Sequence, residues 1–269
     1  MKTTRKLRTF LAAAAVLSAL PVTAALAQKN EQKKDMPKKD MSKMHMPKTP
    51  KQMEPYDLTG YWVSIVDENW RFRMVTPPKG DFEGIFITPK AKKIANEWDP
   101  EADKKNGLAC KAYGGAAIMQ VPTRIHISWM GEDKLKFEFD AGRQTRVAYF
   151  HDAPGKAPAP GWQGVTKAQW EMRGTSPSFG AAHPVPIALK TITTKMRPGY
   201  IRKNGVPYSA NAKVTEYYDL LPGPDGIQYL VVKTIVNDPE YLTQPYVTSS
   251  NFKKIPAKSG WDPRPCTVK

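Results

Sequence analysis

The run from residue 214 to residue 254 constrains this chain more than any other. It reads V-T-E-Y-Y-D-L-L-P-G-P-D-G-I-Q-Y-L-V-V-K-T-I-V-N-D-P-E-Y-L-T-Q-P-Y-V-T-S-S-N-F-K-K. Three stretches rich in Val, Ile, Tyr and Thr (214–221, 227–237 and 246–254) are divided by two turns. The first turn is Pro222-Gly223-Pro224-Asp225-Gly226, and the second runs from Asp238-Pro239-Glu240 to Pro245. Branched and aromatic side chains suit a pleated, half-buried surface, and Pro-Gly and Asp-Gly suit tight turns. The run predicts a three-stranded antiparallel meander.

The same two-residue period recurs upstream. Over residues 124–130, Arg124, His126 and Ser128 alternate with Ile125, Ile127 and Trp129. Gly131-Glu132-Asp133 turns the chain, and residues 134–140 set Leu135, Phe137 and Phe139 on one face, which predicts a hairpin. Further strands are expected over 57–66, 70–75, 144–150, 162–172 and 187–196, and Asn204-Gly205 marks a two-residue turn. Thr88-Pro89 reads as a helix cap with Pro at the first helical position, followed by a helix over 91–98 that Asp99-Pro100 ends. Nine or ten short strands at this spacing predict an all-β fold, an antiparallel barrel or sandwich, with one short helix and long Pro/Gly loops.

Three segments make up the chain. Residues 1–27 carry Lys2, Arg5, Lys6 and Arg8, then an apolar run over 10–20, then Ala25-Leu26-Ala27, the pattern of a cleaved secretory signal. As a helix that run rises about 17 Å, roughly half a hydrocarbon core, so it predicts a signal peptide rather than an anchor. No later run has the length of a membrane span, and a periplasmic or secreted protein with no integral membrane segment after cleavage is expected. Residues 28–55 are rich in Lys, Met and Pro, with no aromatic residue to bury, and are expected to be disordered. Residues 56–269 are expected to form a single β domain.

The net charge is +16, and about +12 without the leader. Diffuse positive charge favours anionic surfaces and ligands, the basic tail included. No nucleic-acid module is recognisable, and none is expected to be needed outside the cell. Two cysteines, Cys110 and Cys266, read as one disulfide in an oxidising compartment. Closing so long a loop gives about 5 kcal/mol in the chain-entropy picture.

Gly60-Tyr61-Trp62 is similar to the G-x-W start of lipocalins. The chain from residue 56 to Cys266 also resembles a group of exported, uncharacterised bacterial β-rich proteins. The resemblance rests on Cys110 followed by Ile118-Met119-Gln120-Val121-Pro122, on Gly164 before Trp170-Glu171, and on Leu189 to Thr193. It continues through Gly205 to Pro207 and the stretch from Asp238-Pro239-Glu240 to Tyr246. Where that group commonly has Trp-Glu-Gly-Asp, this chain has Trp170-Glu171-Met172-Arg173. The resemblance implies a lipocalin-like β fold at most and carries no activity.

No motif specifies a reaction. Neither G-x-S-x-G, H-E-x-x-H nor C-x-x-C occurs. The candidate acid–base groups are His126, Glu171 and Glu216, and the face on which Glu216 lies is open. Arg73 and Arg124 are candidate anchors for a carboxylate or phosphate, with Trp129 and Tyr208 as apolar lining. Met41, Met44, His45 and Met46 are soft donors that suit copper, and no other cofactor is expected. The reading is a protein that binds a small apolar or anionic ligand. The alternatives are a barrel-hosted enzyme and copper capture by the tail.

Overall fold

Strict alternation along each strand gives every strand one apolar face, and burying nine such faces together closes a barrel. The computed structural model describes residues 49–152, 161–174 and 185–268. The leader, most of the Met-rich tail and most of the loop expected over 174–186 lie outside the described residues.

The barrel strands are β1 (Gly60–Ile65), β2 (Arg124–Trp129), β3 (Lys134–Phe139), β4 (Gln144–Tyr149), β5 (Val165–Arg173) and β6 (Val185–Thr194). A small hairpin follows, β7 (Gly199–Arg202) and β8 (Val206–Tyr208). The expected meander completes the wall as β9 (Lys213–Pro222), β10 (Gln228–Asn237) and β11 (Tyr246–Ile255). Around the barrel the order is β1-β11-β10-β9-β6-β5-β4-β3-β2. β1 closes the ring, pairing Tyr61 with Ile255 of β11 on one side and with His126 of β2 on the other. The fold is therefore a closed barrel, not a sandwich. All neighbours run antiparallel except β4 and β5, which run parallel with Ala148↔Thr166 and Tyr149↔Lys167 in register.

The inward faces fill the barrel. Trp62, Ile127, Phe137, Leu189, Tyr218, Leu230 and Phe252 are each 0% exposed and belong to one apolar cluster. Burial of a Leu or Phe is worth about 1.5–3 kcal/mol each, so this cluster is the main favourable contribution to the fold. At one end Trp129 stacks on Phe150 with ring centres 5.7 Å apart, and Phe150 lies 5.1 Å from Trp170. The Trp170 indole donates to the Pro50 carbonyl (2.7 Å) and the Trp129 indole to Glu54 (3.2 Å). The folded unit thus includes residues 49–55, where composition alone predicts a disordered tail.

A second apolar cluster, including Ile85, Met196, Ile201, Val206, Tyr208 and Leu242, caps the other end. It is built from the β7–β8 hairpin and the long segment between β1 and β2. That segment holds three α-helices rather than one, α1 (Trp70–Met74), α2 (Pro89–Asn96) and α3 (Pro100–Lys105), followed by two short 3-10 turns, Ala109–Tyr113 and Ile118–Gln120. The Thr88 hydroxyl caps α2, accepting from the Ala91 amide as expected. Residues 70–75 are not a strand. Asn69 takes a left-handed conformation (φ 51°) and starts α1. α2 stops at Asn96, ahead of Asp99-Pro100, but those two residues open a further helix. The Asp99 carboxylate accepts from the Glu101 and Ala102 amides, and Pro100 opens α3. Cys110 and Cys266 are joined in a disulfide that ties the chain's last residues to this cap. No helix among the described residues is long and apolar enough to cross a membrane.

Candidate anion-binding cleft

At the capped end, the start of β2 and the β3–β4 turn meet α1 and the residues before Cys266. Between them lies a cleft of about 590 Å³. Its wall carries Arg73, Arg124, Lys203 and Arg264 against the carboxylates Asp140 and Asp262, with Val63, Met74, Val121 and Pro265 as apolar surface. That size and mixture suit a small organic molecule.

The charges are unequally compensated. Arg264 is tied to Asp262 at 2.6 Å. Asp140 accepts from the Arg124 amide (2.7 Å) and the Thr123 hydroxyl (2.8 Å), and Arg124 Nη1 reaches it only at 3.4 Å. Arg124 Nε is buried without a partner. Lys203 makes no ion pair among the described residues, and its ammonium lies over the Tyr113 ring at 5.1 Å. Burial opposes ionisation of the Tyr113 hydroxyl, but its bond with Thr267 and the Lys203 charge outweigh burial, and its pKa is lowered.

Arg73 stands at the back of the cleft. Its side chain is 1% exposed. Nε donates to the Gln120 carbonyl (3.0 Å) and Nη1 to Glu68 (3.1 Å), while Nη2 is buried with no partner. An unsatisfied buried donor costs about 1–3 kcal/mol, more when charged, so a guanidinium left this way is poised for an acceptor. Glu68 neutralises Arg73 incompletely. Burial, and the hydrogen bond that the protonated Glu68 carboxyl donates to Asp67, push the Glu68 pKa up to about 7.

Two glycines let the cleft form. Gly142 (φ 73°) turns β3 into β4, and a Cβ there would come 2.5 Å from the Tyr113 ring. Gly260 (φ 61°) lies under Arg124, and a Cβ would come 2.5 Å from its Nη2. Both need the left-handed conformation that glycine adopts without strain.

The other sequence candidates lie elsewhere. His126 is on the outer face of β2, stacked on Tyr61 (4.2 Å between rings) and bonded through Nδ1 to Glu138 at 2.9 Å. Glu171 is on the outer face of β5, paired with Lys190 at 3.0 Å. Glu216 points inward, 0% exposed, and accepts from Arg146 (2.5 Å), Tyr218 (2.9 Å) and Thr191 (3.1 Å). The structure therefore pairs His126 with neither candidate carboxylate. Trp129 closes the opposite end of the barrel. Tyr208 is buried in the cap with its hydroxyl unpartnered, and burial raises its pKa. Met41, Met44, His45 and Met46 lie outside the described residues. Arg73 and Arg124 do meet in one cleft. Sequence reasoning misses Lys203, Arg264 and Glu68, whose roles follow only from the cap's folding.

No family model, curated protein or solved structure matches this chain.

Proposed function

We propose that the protein is an exported binding protein that holds a small amphipathic organic anion in the cleft at the capped end of the barrel. One observation carries this reading: the cleft wall gathers Arg73, Arg124 and Lys203, and of these Arg124 keeps a buried Nε without a partner while Lys203 makes no ion pair among the described residues. A carboxylate or phosphate would satisfy these donors through charge-assisted bonds, and Val63, Met74 and Val121 would take the apolar part. The barrel interior is filled by side chains, which directs the reading to the cleft. The leader-like start of the sequence and the disulfide support export to an oxidising compartment.

The test has two parts. The protein is purified from its native host without denaturation, and any retained molecule is identified by native mass spectrometry. Octanoate and inorganic phosphate are then titrated calorimetrically into wild type and Arg124→Gln. The expected result is a retained organic anion, and octanoate binding that weakens about 10–100-fold in the variant, as loss of one charge-assisted bond implies. Equal affinities in the two proteins, or no binding of either probe with no molecule retained, would overturn the reading.

A further inference from the structure

Arg73 also borders a second, much smaller space. A chamber of about 30 Å³ is lined by Phe72, Arg73, Gln120, Arg202, Lys203 and Tyr246 among others. Its size suits one water molecule or one monatomic ion, since a water needs roughly 10–15 Å³ of such space. No carboxylate lines it, whereas three cationic side chains do.

Both guanidiniums arrive with a nitrogen left over. Arg202 donates Nη2 to the Glu83 carbonyl (2.8 Å), and its guanidinium lies over the Phe72 ring at 3.9 Å. Its Nη1 is buried without a partner, as is Arg73 Nη2. Two charged donors without acceptors thus border one small, partly open recess. Tyr246 adds a third group. Burial raises its pKa against the Arg202 charge and a hydrogen bond with Arg202, which places its hydroxyl beside that guanidinium. Glu68 compensates Arg73 from outside the chamber, but no carboxylate among the described residues reaches Arg202 or Lys203, so water there would leave the chamber net positive in a region where charge is poorly screened.

We propose that this chamber is a halide site that holds one chloride between Arg73 and Arg202. A monatomic anion accepts from several directions at once and fits the volume, whereas phosphate or a carboxylate does not. The site is distinct from the cleft's organic-anion site, although Arg73 and Lys203 border both. It would fix the α1 segment against the β7–β8 hairpin and hold Arg73 in place at the back of the cleft.

The test is diffraction from crystals of the protein grown with sodium bromide, read at the bromine absorption edge, together with thermal unfolding in sodium chloride and in sodium gluconate at equal ionic strength. Gluconate is too large for the chamber. The expected result is an anomalous peak between Arg73 and Arg202, and a melting temperature higher in chloride by about 2–4 °C, the shift that roughly 1 kcal/mol produces in a domain of this size. In Arg202→Lys the chloride-dependent shift should vanish. A bromide peak confined to the open cleft would overturn the chamber and leave the cleft reading standing. No peak at either place, or equal melting in the two salts, would also overturn it. A chamber peak in a protein that binds no octanoate would support the halide site while defeating the cleft reading.

Discussion

Arg146 of β4 and Glu216 of β9 form an ion pair at 2.5 Å inside the barrel, with side chains 1% and 0% exposed. The two strands are separated in the wall by β5 and β6, so the pair spans the interior rather than running along one sheet face. Arg146 Nε and Nη2 are also bonded to the Gln163 side chain, at 3.2 and 3.1 Å. Removing one partner strands a buried charge. Arg146→Met should therefore destabilise the protein by about 3–5 kcal/mol, while the double variant Arg146→Met/Glu216→Leu should recover much of that loss. Urea unfolding midpoints of the three proteins would show it. A single variant within about 1 kcal/mol of wild type would mean that the pair is not desolvated in solution.

Glu68 makes anion binding depend on pH near neutrality. Its folded pKa is raised to about 7, first by burial and then by the hydrogen bond it donates to Asp67, with Arg73 opposing. Asn251 bonds both carboxylates, and Asp67 is lowered, so the shared proton resides on Glu68. A carboxyl with a raised folded pKa favours the fold most below its unfolded value, and that contribution is lost as pH rises through about 7. The same ionisation neutralises Arg73. Octanoate should bind more tightly at pH 6 than at pH 8, and Glu68→Gln should flatten the profile. A wild-type affinity constant across this range would contradict the assignment.

Gly260→Ala should weaken binding without unfolding the barrel. The added Cβ would press on the Arg124 guanidinium, and a left-handed non-glycine residue costs about 1–3 kcal/mol. Octanoate affinity should fall several-fold with the barrel's far-ultraviolet dichroism unchanged. Wild-type affinity in this variant would show that Arg124 is not held where the cleft needs it.

Reduction of the Cys110–Cys266 disulfide should have two separable effects. Loss of a cross-link of this kind typically costs about 2–5 kcal/mol. It would also loosen the residues that bring Arg264, Pro265 and Thr267 to the cleft, leaving them to the Arg264 amide's bond with the Asp140 carbonyl (2.9 Å), the Arg143 bond to the Pro263 carbonyl (3.1 Å) and the Tyr113–Thr267 bond (3.0 Å). Cys110→Ser/Cys266→Ser should melt earlier and bind octanoate less well at temperatures where it remains folded. Equal affinity in the folded variant would place the ligand away from this wall.

The barrel is legible in the sequence where alternation is long. The meander and the β2–β3 hairpin carry branched and aromatic residues at every second position, and their expected bounds match within a residue or two. The segment 70–75 has the same alternation but is a helix, because six residues cannot separate the periods and tertiary contacts decide. Arg71 bonds Asp81 and Glu83, and Arg202 covers Phe72, none of which local sequence shows. Asp99-Pro100 reads as a stop, yet the same two residues start a helix when the next turn can form. The orientation of Glu216 is ambiguous from pattern alone because polar Thr and Ser also occupy the inner face at that level: Thr234 pairs with both Glu216 and Thr248. Arg73 and Arg124 stand out singly in the sequence. That they share a cleft depends on a chain end brought in by the disulfide, a long-range fact that no window of sequence contains.

Nine is an odd number, and strand directions cannot alternate all the way round a ring with odd parity. One like-directed join is then unavoidable, and in this barrel it falls between β4 and β5, where the backbone ladder is shortest. Side chains do much of the joining at this seam. Gln163, just ahead of β5, bonds Arg146 and Gln144 of β4 and the Tyr113 carbonyl of the cap. The polar residues inside the barrel therefore serve its topology, latching the one place where a ring of this parity is open to unzipping.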